Sequence, residues 1–318
     1  MKIREIYELF VQKGIANDPR DKKRIDRVLA DEKKKYDKLE KDEKQYYDKE
    51  RLSNPFADTR ILTGDENTDV KRILVGVDME VGEVLLADRL GEKGKKIDLI
   101  LSHHPEGKAL AALSEVMDIQ SDVLHLYGVP INVAEGTIAG RITEVSRSIA
   151  PVNHQRAVDA AKLLGYPFMC SHTVADNMVY TFVKDIMDKK KPETVGDVID
   201  LLMEIPEYQE GKKLGAGPRL FTGCKENRAG NVAVTEMTGG TSGAKEMFEK
   251  MAQSGIGTII GMHMGEEHRK EAEKYHLNVV IAGHMASDSL GMNLLLDEIE
   301  KKGVEIVPVS GLIRVKRK

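Results

Sequence analysis

The sequence predicts a three-layer α/β fold of two intertwined halves with mixed or parallel sheets, plus an N-terminal helical extension. From residue 70 onward, short apolar runs of strand length alternate with helical segments, which is typical of strand–helix–strand units with right-handed crossovers. The runs at 73–77 and 99–101 are apolar at nearly every position, as expected of strands buried on both faces of a sheet. A chain of 318 residues has room for two compact units.

Composition and charge exclude several classes of protein. Apolar residues make up 41% and charged residues 31% of the chain, as in globular proteins. A net charge of −4 leaves no basic excess for a nucleic-acid partner. The two cysteines cannot form a disulfide framework, and no apolar run approaches the roughly 18 residues of a membrane span. The N-terminal residues carry charges throughout, unlike a signal peptide, so we expect a cytoplasmic protein.

Three regions are predicted: a helical extension at 1–52, a first α/β half at 53–210 and a second at 211–318. Apolar residues share one face of a first helix in the extension. A second helix is predicted from about residue 18 through the mostly charged stretch 31–51. This helix either packs on another subunit, projects as a weak coiled-coil arm or lies solvated without a partner.

Element boundaries follow from apolar runs, glycines and prolines. The dozen residues after position 55 are predicted to be loop, and 211–230 is a Gly-rich polar stretch. Strands are predicted at 73–78, 97–101, 129–133 (a short strand or a link), 167–170, 231–234, 257–261, 279–283, 304–309 and 312–315. Helices are predicted at 82–90, 107–128, 135–149, 154–165, 193–204, 243–254, 266–275 and 287–302.

Two adjacent histidines, His103 and His104, directly follow a buried strand that Pro105 prevents from continuing. In parallel sheets, metal and ligand sites lie beyond the carboxyl ends of the strands. Adjacent side chains that leave a strand point in different directions, so two neighbouring metal ions could take one histidine each. The alternative interpretation is a pair of exposed loop histidines.

Two further strand ends carry residues of the same kinds. Asp176 follows a short apolar strand in the segment that begins with His172, and His284 and Asp288 follow the strand at 279–283. His284 and Asp288 are four residues apart and could reach one ion if a helix has begun there. Asp288 could instead cap the helix or interact with its dipole. Imidazole with carboxylate suits Zn, Mn, Fe, Co or, with enough oxygen ligands, Mg.

These residues belong to three motifs in order along the chain: LILSHHP at 99–105, HTVAD at 172–176 and GHMASD at 283–288. Together with ILVGVD at 73–78 and VAVTEMTGGTSG at 232–243, the motifs resemble those of the Nif-three-like dinuclear metal-centre family. The third motif ends in Asp288 where that family usually has glutamate. Residues 1–52 have no recognised counterpart in it.

The resemblance implies a set of metal ligands and an assembly. The implied ligands are His103, His104, Asp176, His284 and Asp288, which together would bind two divalent metal ions. The resemblance also implies a ring-like homohexamer built from trimers, and some members of the family carry a GTP cyclohydrolase label.

Two classes of function follow from these residues. The first is a metal-dependent hydrolase of a nucleotide or another small phosphorylated or amide substrate, because two bridged cations lower the pKa of a bound water. The second is a non-catalytic metal-binding or assembly protein. Asp-His-His phosphoesterases share the adjacent histidines, but Ser102 stands where they have an acid. The hydrolase is the favoured interpretation.

Two other features near strand ends are interpreted as structural. The segment Gly-Gly-Thr-Ser-Gly at 239–243 could cradle a phosphate, but it lacks the Gly-Lys-Ser/Thr ending of a P-loop and is interpreted as a tight turn that caps a helix. His263 and His268 could lie around the metals, yet a solvated helix start is the favoured interpretation for both.

Overall fold

The computed structural model describes residues 1–317, in which thirteen α-helices and nine strands are found. The helices are α1 (Ile3–Ala16), α2 (Lys22–Lys38), α3 (Val81–Glu92), α4 (Gly107–Ala111), α5 (Ile119–Leu126), α6 (Ile131–Ile149), α7 (Arg156–Leu164), α8 (Thr173–Lys190), α9 (Val195–Met203), α10 (Pro206–Lys213), α11 (Met247–Gln253), α12 (Glu266–Lys274) and α13 (His284–Glu300). The strands are β1 (Thr59–Thr63), β2 (Arg72–Gly76), β3 (Leu99–Ser102), β4 (Phe168–Ser171), β5 (Arg219–Thr222), β6 (Asn231–Val234), β7 (Ile256–Gly261), β8 (Asn278–Ile281) and β9 (Glu305–Pro308). None of the helices in this part of the chain has the length and apolar character that crossing a membrane requires.

The strands form two sheets that repeat one strand order. In the first sheet the order is β1-β4-β3-β2-β9, with β1 antiparallel to its neighbour and the other pairs parallel. In the second sheet the order is β5-β8-β7-β6, with β5 antiparallel and the other pairs parallel. The C-terminal strand β9 joins the first sheet. The chain is therefore built from two α/β halves that are intertwined, which confirms the predicted fold class.

The inner strands of both sheets are buried at nearly every position, and successive side chains of a strand point to opposite faces. In β2, Ile73 and Val75 face a central core, whereas Leu74 packs with α3 and α7 on the outside. In β8, Val280 faces the same central core, whereas Val279 packs with α11 and α12. The central core also receives the buried faces of α1, α8, α9, α10 and α13. Each half is thus a three-layer unit, and the two units share a central layer of helices.

The two antiparallel edge strands differ from the sequence prediction. The residues of β1 are predicted to be loop, and β5 lies in the stretch described as Gly-rich and polar. Both strands are short, both contain an arginine (Arg60 or Arg219), and neither contains a long apolar run. Charged residues are common in edge strands, where they discourage pairing with other chains, but they remove the hydrophobic signal of a strand.

Four other predicted elements differ from the structure. In place of a strand at 129–133, α6 begins at Ile131 after Pro130, whose φ of −55° suits a helix start. The predicted helix 107–128 is divided into α4, the 3-10 helix Leu113–Asp118 and α5, and no glycine or proline marks the breaks. The helix predicted through the charged stretch near the N-terminus ends with α2, and the last predicted strand, 312–315, has no regular structure.

The first helix is part of the central core. Ile3, Ile6 and Phe10 of α1 are fully buried. Gly14 lies so close to α8 that a Cβ on this residue would come within 2.6 Å of Val174. Residues of α1 therefore help to build the fold around α8.

Replacing Phe10 by alanine is expected to lower the free energy of unfolding by about 3–5 kcal/mol, because it removes a buried ring and leaves a cavity. Urea unfolding followed by circular dichroism measures the change. Leu163→Ala is the control: Leu163 is 86% exposed, so its loss should change stability by less than about 0.5 kcal/mol. Equal stability of the two variants would mean that α1 contributes little to the fold.

Candidate metal centre

A cluster of imidazole and carboxylate groups lies where the carboxyl ends of the two sheets meet, and it contains all five residues predicted from the sequence. His103 and His104 directly follow β3, and Asp176 lies in the first turn of α8. His284 and Asp288 lie at the start of α13. One oxygen of Asp288 is 3.5 Å from His103 Nε2, and the other is 3.6 Å from His104 Nε2. The same second oxygen is 3.5 Å from His284 Nε2, and Asp176 Oδ1 is 3.5 Å from His103 Nε2.

Two glycines allow α13 to place Asp288 in the cluster. A Cβ on Gly291 of α13 would lie 2.3 Å from the carbonyl oxygen of Ala175 in α8, so glycine permits the close approach of the two helices. Gly283, directly before α13, has a φ of 110°, and a Cβ there would lie 2.3 Å from the carbonyl oxygen of Ala216. Glycine tolerates both the backbone conformation and the contact. The position of Asp288 thus depends on backbone contacts that only glycine allows.

A sixth side chain, His172, belongs to the cluster but is absent from the predicted ligand set. Its ring centroid lies 4.9 Å from that of His103, and its Nε2 is 3.8 Å from Asp176 Oδ2. A signal for this residue exists in the sequence. His172 precedes Asp176 by four residues, the same interval that separates His284 from Asp288. Because α8 and α13 follow equivalent strands of the two halves, the two His–Asp pairs occupy equivalent places in the fold.

Outer hydrogen-bond partners orient three of the imidazoles so that Nε2 faces the cluster. His104 Nδ1 is 2.6 Å from Asp78 Oδ1, and His172 Nδ1 is 2.8 Å from Asp58 Oδ2. His103 Nδ1 is 3.1 Å from the last carbonyl oxygen of β4. A carboxylate or carbonyl oxygen on one ring nitrogen fixes the tautomer, and it is the usual outer partner of a metal-binding histidine. Neither Asp58 nor Asp78 is a predicted site residue.

Several buried polar atoms of the cluster have no hydrogen-bond partner in residues 1–317. They are His103 Nε2, Asp176 Oδ1 and both carboxylate oxygens of Asp288. Buried polar atoms are nearly always paired in proteins, so unpaired nitrogen and oxygen atoms that converge on one point fit cation ligands. Three groups could hold a metal ion: His103 with His104 and His172, His104 with His284 and Asp288, and His103 with Asp176 and Asp288.

The pKa values in the cluster show how strongly its members interact. Burial raises the pKa of Asp176 to about 8, and the charges of Asp288 and Asp58 act in the same direction. Burial opposes protonation of His104, but the nearby carboxylates of Asp288 and Asp78 outweigh this effect and raise its pKa to about 10. Burial also opposes ionisation of Asp288, yet the surrounding histidines, His103 foremost, hold its pKa well below the usual range. In the absence of a cation, Asp176 and His104 therefore carry protons at neutral pH.

The second half contributes further residues to the same pocket. Glu236 follows β6, as Asp78 follows the equivalent strand β2, and His263 follows β7. The His263 ring centroid is 4.8 Å from that of His284, and His263 Nδ1 is 3.1 Å from Ser242 Oγ. Burial lowers the pKa of His263. The predicted solvated helix start is therefore wrong for His263, which lies in the wall of the pocket.

The Gly-rich segment at 239–243 lines the pocket and does not cap a helix. The next helix, α11, begins only at Met247. Gly239 and Gly240 have φ values of 86° and 89°, a conformation that favours glycine. His268 lies near the end of this segment, with its Nε2 3.0 Å from the carbonyl oxygen of Gly243.

Comparison with known structures finds several similar proteins. A NIF3 superfamily protein from Sphaerobacter thermophilus is 29% identical, with a TM-score of 0.70 over 80% of this chain and 92% of that chain. Reduced HcgD from Methanocaldococcus jannaschii is 14% identical, with a TM-score of 0.44 over 80% and 93% of the two chains. A Bacillus cereus protein related to NIF3 is 12% identical, with a TM-score of 0.38 over 79% and 89%. No protein-family model and no curated protein matches the chain.

The first of these structures bears on the family, because the other two are too distant in sequence and in structure. Its match extends over most of both chains. It also agrees with the family that the motifs at 99–105, 172–176 and 283–288 indicate. In its motifs and in its fold, the chain is therefore similar to the NIF3 superfamily.

Proposed function

We propose that the chain binds two divalent cations in the cluster and is a hydrolase of a nucleotide or another small phosphorylated or amide substrate. The observation that carries this proposal is the convergence of unpaired buried atoms of His103, Asp176 and Asp288 within residues 1–317. The three groups of side chains that could hold a metal ion support it. The proposed ligands are His103, His104, Asp176, His284 and Asp288, to which we add His172.

The cluster has a buried end and an end open to solvent, and we infer that the substrate approaches the open end. The side chains of His103 and Asp288 are each 1% exposed, whereas those of His104 and His284 are 26% and 38% exposed. One oxygen of Asp288 is directed to the buried end and the other to the open end. In the proposal Asp288 would help to hold both cations, and the substrate would approach from the side of His104 and His284.

Bound divalent cations supply two kinds of chemistry in such a site: they lower the pKa of water, and they neutralise charge that develops on a phosphate or amide oxygen. The residues of the chain provide the conditions for it. Asp78 and Asp58 hold His104 and His172 in the tautomer with a free Nε2. Asp288 supplies negative charge between the two cation positions, which reduces their mutual repulsion.

Metal analysis of the purified protein, followed by turnover measurements on a panel of nucleotides and phosphoesters, tests the proposal. We expect two cations per chain, and turnover that a chelator abolishes and added metal restores. Two cations without turnover on any compound would favour a non-catalytic metal-binding protein. One cation or none per chain would overturn the dinuclear site. Zn, Mn, Fe, Co and Mg are each to be offered, because the imidazole and carboxylate ligands suit several of them.

Replacing Asp58 by asparagine is expected to weaken cation binding roughly 10–100-fold, the usual effect of losing an outer partner of a ligand. Asp58 Oδ2 accepts hydrogen bonds from His172 Nδ1 at 2.8 Å and from Thr173 Oγ1 at 2.6 Å. Competition with a chromogenic chelator measures the affinity, and Asp37→Asn at an exposed position of α2 is the control. Unchanged affinity of the Asp58 variant would remove His172 from the ligand set.

The proposed assembly is a homohexamer, as the family resemblance implies. Light scattering on the purified chain, with the expected mass of six copies, tests it separately from the metal site.

A further inference from the structure

A small cavity lies beside the metal pocket, between α5, α8 and the end of β6. Its polar lining residues are Gln120, Tyr180, Thr235, Glu236 and Thr238, and Glu236 and Thr238 also line the metal pocket. The space open to the centre of a water-sized sphere is about 10 Å³. A cavity of this size holds about one water molecule.

Four polar atoms on this cavity have no hydrogen-bond partner in the described chain. They are Gln120 Oε1, Tyr180 Oη, Thr235 Oγ1 and Glu236 Oε2. Gln120, Tyr180 and Thr235 are only 4%, 2% and 2% exposed, so bulk water does not satisfy them. Buried polar groups without partners are rare and costly, and four around one cavity call for a common partner.

The hydrogen bonds that these side chains already make determine which of the four free atoms are acceptors and which can donate. Gln120 Nε2 donates to the carbonyl oxygens of Gly239 at 2.8 Å and Thr241 at 2.6 Å, so the amide cannot be flipped and Oε1 is an acceptor in the cavity. Glu236 Oε1 accepts from the Gly243 N–H at 3.0 Å, which leaves Oε2 as a second acceptor. The other two free atoms, those of Thr235 and Tyr180, are hydroxyls that can donate.

We propose that one water molecule binds here and makes four hydrogen bonds. It donates to Gln120 Oε1 and Glu236 Oε2 and accepts from the hydroxyls of Thr235 and Tyr180, which matches the two donors and two acceptors of water. A metal cation fits less well, because both hydroxyls would turn their hydrogens toward apolar neighbours such as Leu124.

We further infer that this water makes Glu236 a positioning residue of the metal pocket, an inference that rests on the proposed function. Glu236 has a φ of 49°, a conformation that non-glycine residues adopt rarely and that must be held by its surroundings. It binds the N–H of Gly243, next to Ser242, whose hydroxyl contacts His263 Nδ1. The His263 ring in turn packs against His284, a proposed ligand. The water thus supports, through this chain of contacts, the open end of the cluster.

A crystal structure of the full chain at high resolution tests the water itself. We expect one density peak within roughly 2.5–3.2 Å of all four atoms. The water proposal would be overturned if the cavity were empty, if the four groups were paired with one another, or if a cation with short metal–oxygen distances lay there.

Cobalt loading of two threonine variants tests the positioning role. Thr235→Val keeps the side-chain volume and removes one partner of the water, and Thr258→Val removes an equally buried hydroxyl that bonds the Ala229 carbonyl oxygen at 2.6 Å elsewhere in the second sheet. We expect the visible spectrum of bound Co²⁺ to shift in Thr235→Val only. The affinity of this variant for Co²⁺ should fall by up to about tenfold, which is the lower end of the range for losing an outer partner of a metal ligand.

Each other outcome of the cobalt experiment is decisive. Spectra of Thr235→Val and Thr258→Val that both match the wild type, or that change alike, would overturn the positioning role of Glu236. If the wild-type chain took up no Co²⁺ or other divalent ion, the proposed function would fail and the positioning role with it. The crystal structure would then still decide whether the water is present.

Discussion

Purified Asp288→Ala protein is expected to contain neither of the two cations that we propose for the cluster. The Asp288 carboxylate lies within 3.5–3.6 Å of Nε2 atoms from His103, His104 and His284, so it is the group that both ends of the cluster share. Its removal leaves three imidazoles around a buried space without their common counter-charge. We expect cation affinity to fall by more than the roughly 10–100-fold that the loss of an outer partner costs.

Metal analysis after dialysis and chelator competition measure this effect, and circular dichroism verifies that the variant is folded. Asp200→Asn, at an exposed position of α9, is the control and should keep both cations. Asp288→Glu restores the acid that is usual in the family. It should recover at least one cation, although the extra methylene must fit at a site that is 1% exposed. Wild-type metal content in a folded Asp288→Ala protein would exclude Asp288 as a ligand that helps to hold both cations.

The position of the cluster could be predicted because it depends on a regular feature of parallel sheets. The strands β3, β4 and β8 are apolar and are each followed at once, or within three residues, by His or by Gly-His. Parallel strands end at the same edge of a sheet, so ligands in the loops after them converge. For His103, His104 and His284 this argument indicates the place, and for Asp288 the helical spacing from His284 does so. The resemblance of the motifs to the family is what selects these residues as candidate ligands.

Asp58 could not be predicted in the same way. It precedes β1, an antiparallel edge strand with a buried arginine and no long apolar run, so the local sequence does not reveal the strand. Its partner His172 is 114 residues away, and only the pairing of β1 with β4 brings the two together. Local patterns predict elements, whereas the antiparallel pairing of an edge strand is a long-range property.

Glu236 and His263 illustrate a different limit. Each follows a strand of the second sheet, as His284 does. The sequence pattern, however, favours a helix cap for the Gly-rich segment after Glu236 and a solvated helix start for His263. Their relation to the cluster follows from the repeated strand order, which appears only once β1 and β5 are known. The equivalence of Asp78 with Glu236 follows from the topology, because each lies two residues after an equivalent strand.

Cation affinity is expected to rise steeply with pH. In the cation-free protein, burial raises the pKa of Asp176 to about 8, and Asp288 and Asp78, against the effect of burial, raise that of His104 to about 10. Both groups are therefore protonated at pH 7, and a cation must displace both protons to bind. A raised pKa means that the group binds its proton more tightly. Protons compete with the cation for Asp176 and His104, so lowering the pH weakens cation binding.

The expected slope follows from these two groups. The logarithm of affinity should increase by about two per pH unit below pH 8, by about one between pH 8 and pH 10, and level off above that. His172, whose pKa is also raised by Asp176 and Asp58 against the effect of burial, adds to the slope near neutral pH. Burial lowers the pKa of His103 and His284, which are neutral at pH 7 and add nothing there.

Calorimetric titration with Mn²⁺ at pH 7, in PIPES and in Tris, counts the protons released, because the two buffers differ in their heat of ionisation. We expect about two protons per chain or more. Asp78→Asn should release fewer, since the charge that helps to hold the proton on His104 is gone while Asp288 remains. Binding of Mn²⁺ without proton release would mean that Asp176 and His104 are not ligands, and the cation would then have to lie elsewhere in the pocket.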